Sequence, residues 1–184
     1  MKKLTVLIDM DDTIEELVFA WVRYVNEKFG TTVRPEDIND WNMQNFFPDI
    51  PANELYGVLE DEALWRMVKP KPGAVEYVKK IMDDGHSVFI VTSSHYRTIV
   101  PKMELVLFTY FPYITWDHVI ITSNKQMVDG DVLIDDGIHN HVGGSYFSIL
   151  MDASHNQWFD ENRSSMVRVK TWEEAYKAVC SLAM

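Results

Sequence analysis

Acidic residues gather at the ends of apolar runs in this chain. LTVLID, Leu4 to Asp9, passes from a buried-strand composition straight into Asp9, Asp11 and Asp12, and VLIDD, Val132 to Asp136, repeats the arrangement much further along. Between them SVFIVTS ends in Thr92 and Ser93, and VIITSNK ends in Lys125. Ligands of parallel α/β sheets collect beyond the carboxyl ends of the strands, so these side chains meet at one rim if their strands run parallel. Carboxylates crowded there repel and raise one another's pKa unless a cation holds them, and oxygen ligands of this hardness suit Mg²⁺. A metal, a lysine and hydroxyls around one carboxylate suit a phosphoryl group, because Mg²⁺ and Lys125 neutralise its oxygens while Thr92 donates to one of them. Asp9 is then free to attack phosphorus and form an aspartyl-phosphate. Asp11 protonates the leaving oxygen and later takes a proton from water. Singly these residues mean little: paired aspartates after a strand commonly cap or turn, and an isolated lysine is most often a surface one. Their order, each after its own apolar run, is the signal.

Placing them at one rim needs a sheet. Five apolar runs read as strands, Leu4 to Ile8, Val88 to Val91, Val119 to Ile121, Val132 to Ile134 and Phe147 to Leu150, with a further one at Met166 to Val169. They lack polar alternation, which is how strands covered on both faces look, and helical patterns lie between several of them. The expectation is an α/β fold, a mainly parallel Rossmann-like sheet sandwiched by helices. Leu17, Val18, Trp21, Val22, Val25 and Phe29 form one helical face ended by Gly30, and another helix runs from Ala52 towards Leu59. No strand pattern appears between Ile14 and Lys69, a stretch too long for an ordinary crossover, so it reads as a helical insertion above the sheet. Pro72 and Gly73 open the next helix and Gly85 closes it. A final helix is announced by Thr171 and Glu174 as a capping box.

Composition limits the partners. The net charge of −11 opposes binding to a nucleic-acid polymer or an anionic membrane surface. The lone cysteine, Cys180, forms no internal disulfide, which fits a reducing cytoplasm. MKKLTVLID reaches aspartate too soon for a signal-peptide core, and no later run is long and apolar enough to span a membrane. A small phosphate ester is the expected partner, with the chain a monomer or homodimer.

DMDDT at Asp9 to Thr13, FIVTS ending at Thr92 and Ser93, TSNK ending at Lys125 and LIDD ending at Asp135 and Asp136 together resemble the haloacid dehalogenase superfamily of phosphatases. The resemblance implies a core from residues 1–13 and 70–184, and a small helical cap from residues 14–69. It further implies Mg²⁺ held by the Asp9 carboxylate, the Asp11 main-chain carbonyl and one of the acidic pair, Asp136 being preferred over Asp135. Within the superfamily the chain is similar to the 5'(3')-deoxyribonucleotidases, through DMD, PKPGAVE from Pro70 to Glu76, the lysine before LIDD, and His155-Asn156-Gln157. Those relatives carry Gly-Val where this chain has Asp12-Thr13, and an arginine near the position of Ser123. The implied activity is Mg²⁺-dependent hydrolysis of nucleoside monophosphates by a 5'-nucleotidase-type phosphoric monoester hydrolase. A phosphotransferase or phosphatase acting on another metabolite such as a sugar phosphate, and a non-catalytic ligand-binding protein, are the alternatives.

Trp41, Phe46 and Phe47 offer flat faces on which a nucleobase could stack, although aromatics in a short module commonly form its own core. His95, His139, His141 and His155 lack metal-ligand spacing and read as polar loop residues.

Overall fold

The structure, a computed structural model, describes residues 2–160 and 164–184. Six parallel strands form one sheet in the order β3-β2-β1-β4-β5-β6: β1 Thr5–Ile8, β2 Ser87–Thr92, β3 Val119–Ile121, β4 Val132–Asp135, β5 Phe147–Met151 and β6 Val167–Val169. The α/β expectation is met, and each strand falls within two residues of its apolar run. Central β1 pairs Ile8 with Ile90 of β2 on one side and with Ile134 of β4 on the other. The chain steps outward from β1 through β2 to β3, then crosses back to β4. Connections from β1 and β4 therefore diverge, opening a crevice beyond their carboxyl ends. Asp9 and Asp136 follow those two strands, and Asp9 N–H donates to the Ile134 carbonyl at 2.9 Å, locking the two ends in register.

Val6, Leu7, Ile8, Val132, Leu133 and Ile134 are buried without residual exposure. Each such side chain contributes about 1.5–3 kcal/mol by leaving water, so the strands beneath the crevice are its most rigid support. Helices α4 (Ala74–Asp83) and α7 (Trp172–Leu182) pack side by side, with the Tyr77 and Tyr176 rings 5.6 Å apart. Thr171 caps α7 by accepting from Glu174 N–H at 3.2 Å, but the Glu174 carboxylate returns to Lys170 N–H rather than to Thr171, so the expected box closes one residue early.

Between β1 and α4 the chain forms helices α1 (Leu17–Phe29), α2 (Ala52–Gly57), α3 (Glu62–Trp65) and single 3₁₀ turns. Gly30 ends α1 with φ of 72°, a conformation that needs no Cβ, and its N–H closes onto Asn26. Trp21 donates from Nε1 to the Leu55 carbonyl at 3.2 Å and Trp65 to that of Leu59 at 2.8 Å, tying the short helices together. The two ends of this stretch are stitched side by side. Glu15 and Pro70 form an antiparallel bridge, Glu16 N–H donates to Lys69 and Lys71 N–H donates to Ile14, both at 2.9 Å.

After β2 comes a helical segment of mixed pitch: α5 (Ile99–Pro101), a π turn (Lys102–Leu107) and α6 (Phe108–Tyr110). Met103, Val106 and Leu107 are buried from it, and so is Lys102, which is 1% exposed.

Candidate active site

Four aspartates and two lysines meet at the crevice. Lys125, 2% exposed, donates to Asp9 Oδ1 and, at 2.7 Å, to Asp135 Oδ2. Asp135 also accepts from Gly137 N–H at 2.7 Å and from Asn140 Nδ2 at 3.0 Å, so its lone pairs are occupied. Asp136 is held differently. Its Oδ1 accepts from the Thr13 hydroxyl at 3.1 Å, and its own N–H donates back to that hydroxyl at 3.2 Å. Asp136 Oδ2 is buried without a hydrogen bond, in off-axis contact with His155 Nε2 at 2.9 Å. Lys102 gives its three ammonium protons to Asp11 Oδ2 at 2.7 Å, Thr92 Oγ1 at 2.7 Å and Ser94 Oγ at 2.8 Å.

The charges do not balance. Burial first, and then Asp135, Asp136 and Asp11, push the Asp9 carboxyl well above the usual carboxylate range against the pull of Lys125. For Lys125 burial alone works downward, but Asp9 and Asp135 outweigh it and the ammonium ends above its ordinary value. Glu15, buried beside Asp11 and Asp12, is pushed up in the same way. One buried lysine thus serves both Asp9 and Asp135, leaving the rim short of positive charge. Asp9, Asp135 and Asp136 each offer an oxygen within 4.8 Å of the others, all three buried. Such a hard, all-oxygen set suits a divalent cation, and the unbonded Asp136 Oδ2 is an orphan that a cation would satisfy.

Asp9, Asp11, Ser93, Lys125 and Asp136 line one cavity of about 320 Å³, together with Trp41, His139 and Asn140. Residues 2–183 match the family model described as "5' nucleotidase, deoxy (Pyrimidine), cytosolic type C protein". The chain belongs to this nucleotidase family. It is 32% identical over 180 residues to the 5'(3')-deoxyribonucleotidase of Clostridium acetobutylicum, covering 98% of this chain and 96% of that one. To the 5'(3')-deoxyribonucleotidase of Bacillus subtilis strain 168 it is 34% identical over 176 residues, covering 95% and 96%. Its fold is similar to that of a HAD family hydrolase from Deinococcus radiodurans R1 crystallised with bound phosphate and sodium, with a TM-score of 0.64, 14% identity and coverage of 96% and 95%. The nucleotidase is accordingly a phosphoric monoester hydrolase, and its fold is that of the HAD family hydrolase it resembles. No helix among its described residues is long and apolar enough to cross a membrane.

Of the three aromatics considered for stacking, the nucleotidase exposes only Trp41 at the cavity. Phe47 is 2% exposed in the core and Phe46 packs against that core. Neither lines the cavity, because an insertion this short needs both rings to bury enough apolar area. Thr92 sits beneath the cavity floor, fully buried, with its hydroxyl oxygen taken by Lys102 and its proton free to donate. His141 and His155 lie in the loops after β4 and β5 as read, yet both are buried, at 7% and 6% exposure; His141 Nε2 lies 3.1 Å from the Asp135 carbonyl.

Lys102 was not legible as a site residue, yet a signal existed. Ile99, Lys102, Met103 and Val106 share one helical face, and a lysine on an apolar face has to find a buried partner. Thr13 is a second such residue, and Asp12 a third. Asp12 adopts φ of 54°, the left-handed conformation that glycine takes without strain and that aspartate or asparagine tolerates. Its carboxylate caps α1 by accepting from Val18 N–H at 3.2 Å, a service glycine cannot perform. Burial, followed by Asp136, raises the Asp12 pKa to about 7. Because this folded-state value exceeds the unfolded one, ionisation of Asp12 destabilises the fold progressively as pH rises from about 4 to 7. Asp12→Asn keeps the backbone preference and the cap while removing the charge. In chelator it is expected to raise the melting temperature by several degrees at pH 7.5 and by almost nothing at pH 4; an equal change at both pH values would disprove the charge as the cause.

Proposed function

We propose that the protein is a Mg²⁺-dependent phosphatase that hydrolyses nucleoside monophosphates, 5'(3')-deoxyribonucleotides in particular, through an aspartyl-phosphate on Asp9. The observation carrying this reading is the convergence of Asp9, Asp11, Ser93, Lys125 and Asp136 on a single cavity. The similarity to the 5'(3')-deoxyribonucleotidases of Clostridium acetobutylicum and Bacillus subtilis supports the substrate class.

Asp9 and Asp136 would hold the cation through their carboxylates and Asp11 through its main-chain carbonyl, with Asp135 spent on Lys125, Gly137 and Asn140. When bound, Mg²⁺ supplies positive charge to a phosphate oxygen and lowers the Asp9 carboxyl into its ionised, nucleophilic range. Lys125 and the Ser93 hydroxyl orient the remaining phosphate oxygens, while Thr92, buried behind them, helps to hold Lys102. One oxygen of Asp9 attacks phosphorus in line with the ester oxygen, and Asp11 delivers a proton to the departing alcohol. Lys102 holds Asp11 in place for that transfer. Water then enters, Asp11 takes its proton, and attack on phosphorus releases inorganic phosphate and regenerates Asp9.

Residues 14–69 act as a cap that brings Trp41 over the cavity. Base stacking contributes about 1–3 kcal/mol per base, so Trp41→Ala is expected to raise KM for a nucleotide by about 5- to 100-fold at saturating Mg²⁺. A phosphate ester lacking a base should show little change. Equal losses for both substrates would remove Trp41 from base recognition.

The acidic surface and single Cys180 support a cytoplasmic setting and a small-molecule substrate. Phosphate release measured over ribo- and deoxyribonucleoside monophosphates and sugar phosphates, with Mg²⁺ and with chelator, tests the proposal. Deoxyribonucleotides should lead, and turnover should vanish with chelator and return with Mg²⁺. A preference for sugar phosphates, or metal-independent turnover, would reject it.

A further inference from the structure

The turn after β5 touches both the cation site and the aromatic that overhangs it. Asn156 Nδ2 donates to the Asp136 carbonyl at 3.0 Å and to that of Met151 at 2.8 Å, anchoring the turn to the ends of β4 and β5. Ser154 donates from Oγ to the Ile38 carbonyl, reaching across to the insertion. Between them His155 presents one edge to Asp136, with Nε2 2.9 Å from Oδ2, and one face to Trp41, with ring centroids 4.1 Å apart and planes inclined by 47°. Both Asp136 Oδ2 and His155 Nε2 are buried and lack an aligned hydrogen bond. Two polar atoms left in contact but unaligned mark a place where the geometry is completed by something else.

Resting on the assignment of Asp136 as a cation ligand, we infer that His155 is a positioning residue that links cation binding to the seating of Trp41. Ligation fixes the Asp136 carboxylate, the fixed carboxylate aligns the His155 ring, and Trp41 gains a rigid partner to pack on. By thermodynamic reciprocity, a seated Trp41 must tighten cation binding by the same factor. Residues that orient a metal ligand typically change affinity by about 10- to 100-fold when removed. The cation therefore reaches the base-binding end of the cavity through this ring.

The test uses the full-length protein with Mg²⁺ alone and two readouts apart from turnover: the Mg²⁺ dissociation constant by calorimetry, and hydrogen exchange of residues 38–47 with and without Mg²⁺. In the wild type, Mg²⁺ should slow exchange across that segment. His155→Ala should weaken Mg²⁺ binding by about 10-fold or more and abolish the Mg²⁺-dependent protection. His155→Phe keeps a ring under Trp41 but offers nothing to Asp136, so the segment should be protected equally with and without the cation. His155→Gln keeps a donor without the ring, and should recover most of the affinity but not the protection. Such a split is not what a general loss of stability produces. Wild-type Mg²⁺ affinity in both His155→Ala and His155→Phe, or undiminished protection in His155→Ala, overturns the inference while Asp136→Asn still abolishes binding. If Asp136→Asn binds Mg²⁺ as the wild type does, the cation-site assignment falls and the inference with it.

Discussion

Asp9→Asn is expected to lower phosphate release by a factor on the order of 10⁴ or more, the scale on which enzymes lose activity when their nucleophile is removed. The amide fills nearly the same space and can still accept from Lys125, so the sheet and the cavity should persist. Stability should move in the opposite direction from activity. Burial and the neighbouring aspartates hold the Asp9 pKa above its unfolded value. A group raised in this way destabilises the fold once pH passes its unfolded pKa, and the penalty is fully present above the folded pKa. In chelator at pH 7.5, Asp9→Asn should therefore melt at the wild-type temperature or higher. With Mg²⁺ the order should reverse, since the wild type gains a ligand that the variant binds poorly. Kinetics and paired melts with and without chelator check both halves. Near-normal turnover would reject the covalent route, and a lower melting temperature in chelator would give Asp9 a structural role instead.

Lys125→Met is expected to produce the largest loss of stability. Its ammonium is the charge that Asp9 and Asp135 share, and removing one partner of a buried ion pair costs about 3–5 kcal/mol. At about 2–4 °C per kcal/mol for a domain of this size, melting should fall by roughly 10 °C at neutral pH. The loss should depend on pH in a definite sense. Without Lys125 the Asp9 carboxyl is raised further above its unfolded value, so the deficit should be smallest at the acid end of the range and grow as pH rises. Mg²⁺ should recover part of it. Urea midpoints from pH 4 to pH 8 check the slope; a deficit independent of pH would mean that the lysine contributes packing rather than charge. Activity should vanish as well, because the proposed mechanism sets the same ammonium against the phosphate.

Much of this architecture was legible because strand and chemistry share one pattern. Runs such as Val132 to Ile134 are apolar on both faces and end in aspartate, so a single reading located the strand, its direction and the rim residue. Asp9, Asp11, Ser93, Lys125 and Asp136 were accessible in that way. What stayed hidden depended on contacts between segments distant in sequence. Nothing local in IVPKMEL says that Lys102 reaches Asp11 across the crevice, and nothing around His155 says that it meets both Asp136 and Trp41. Phe47 misled for the complementary reason: an aromatic in a small helical module looks the same whether it faces a ligand or fills the module's own interior.

The paired stitching of Ile14 to Lys71 and of Glu16 to Lys69 bears on how this protein diversifies. A chain that leaves and re-enters the body through one doorway can be extended, trimmed or replaced beyond it without re-threading the sheet. Closing a longer excursion is inexpensive in entropy, about 0.6 kcal/mol for each doubling of length. On the role proposed for residues 14–69, appetite for one phosphate ester or another would be exchanged as a cassette, while Asp9 and Asp11 stay where they are.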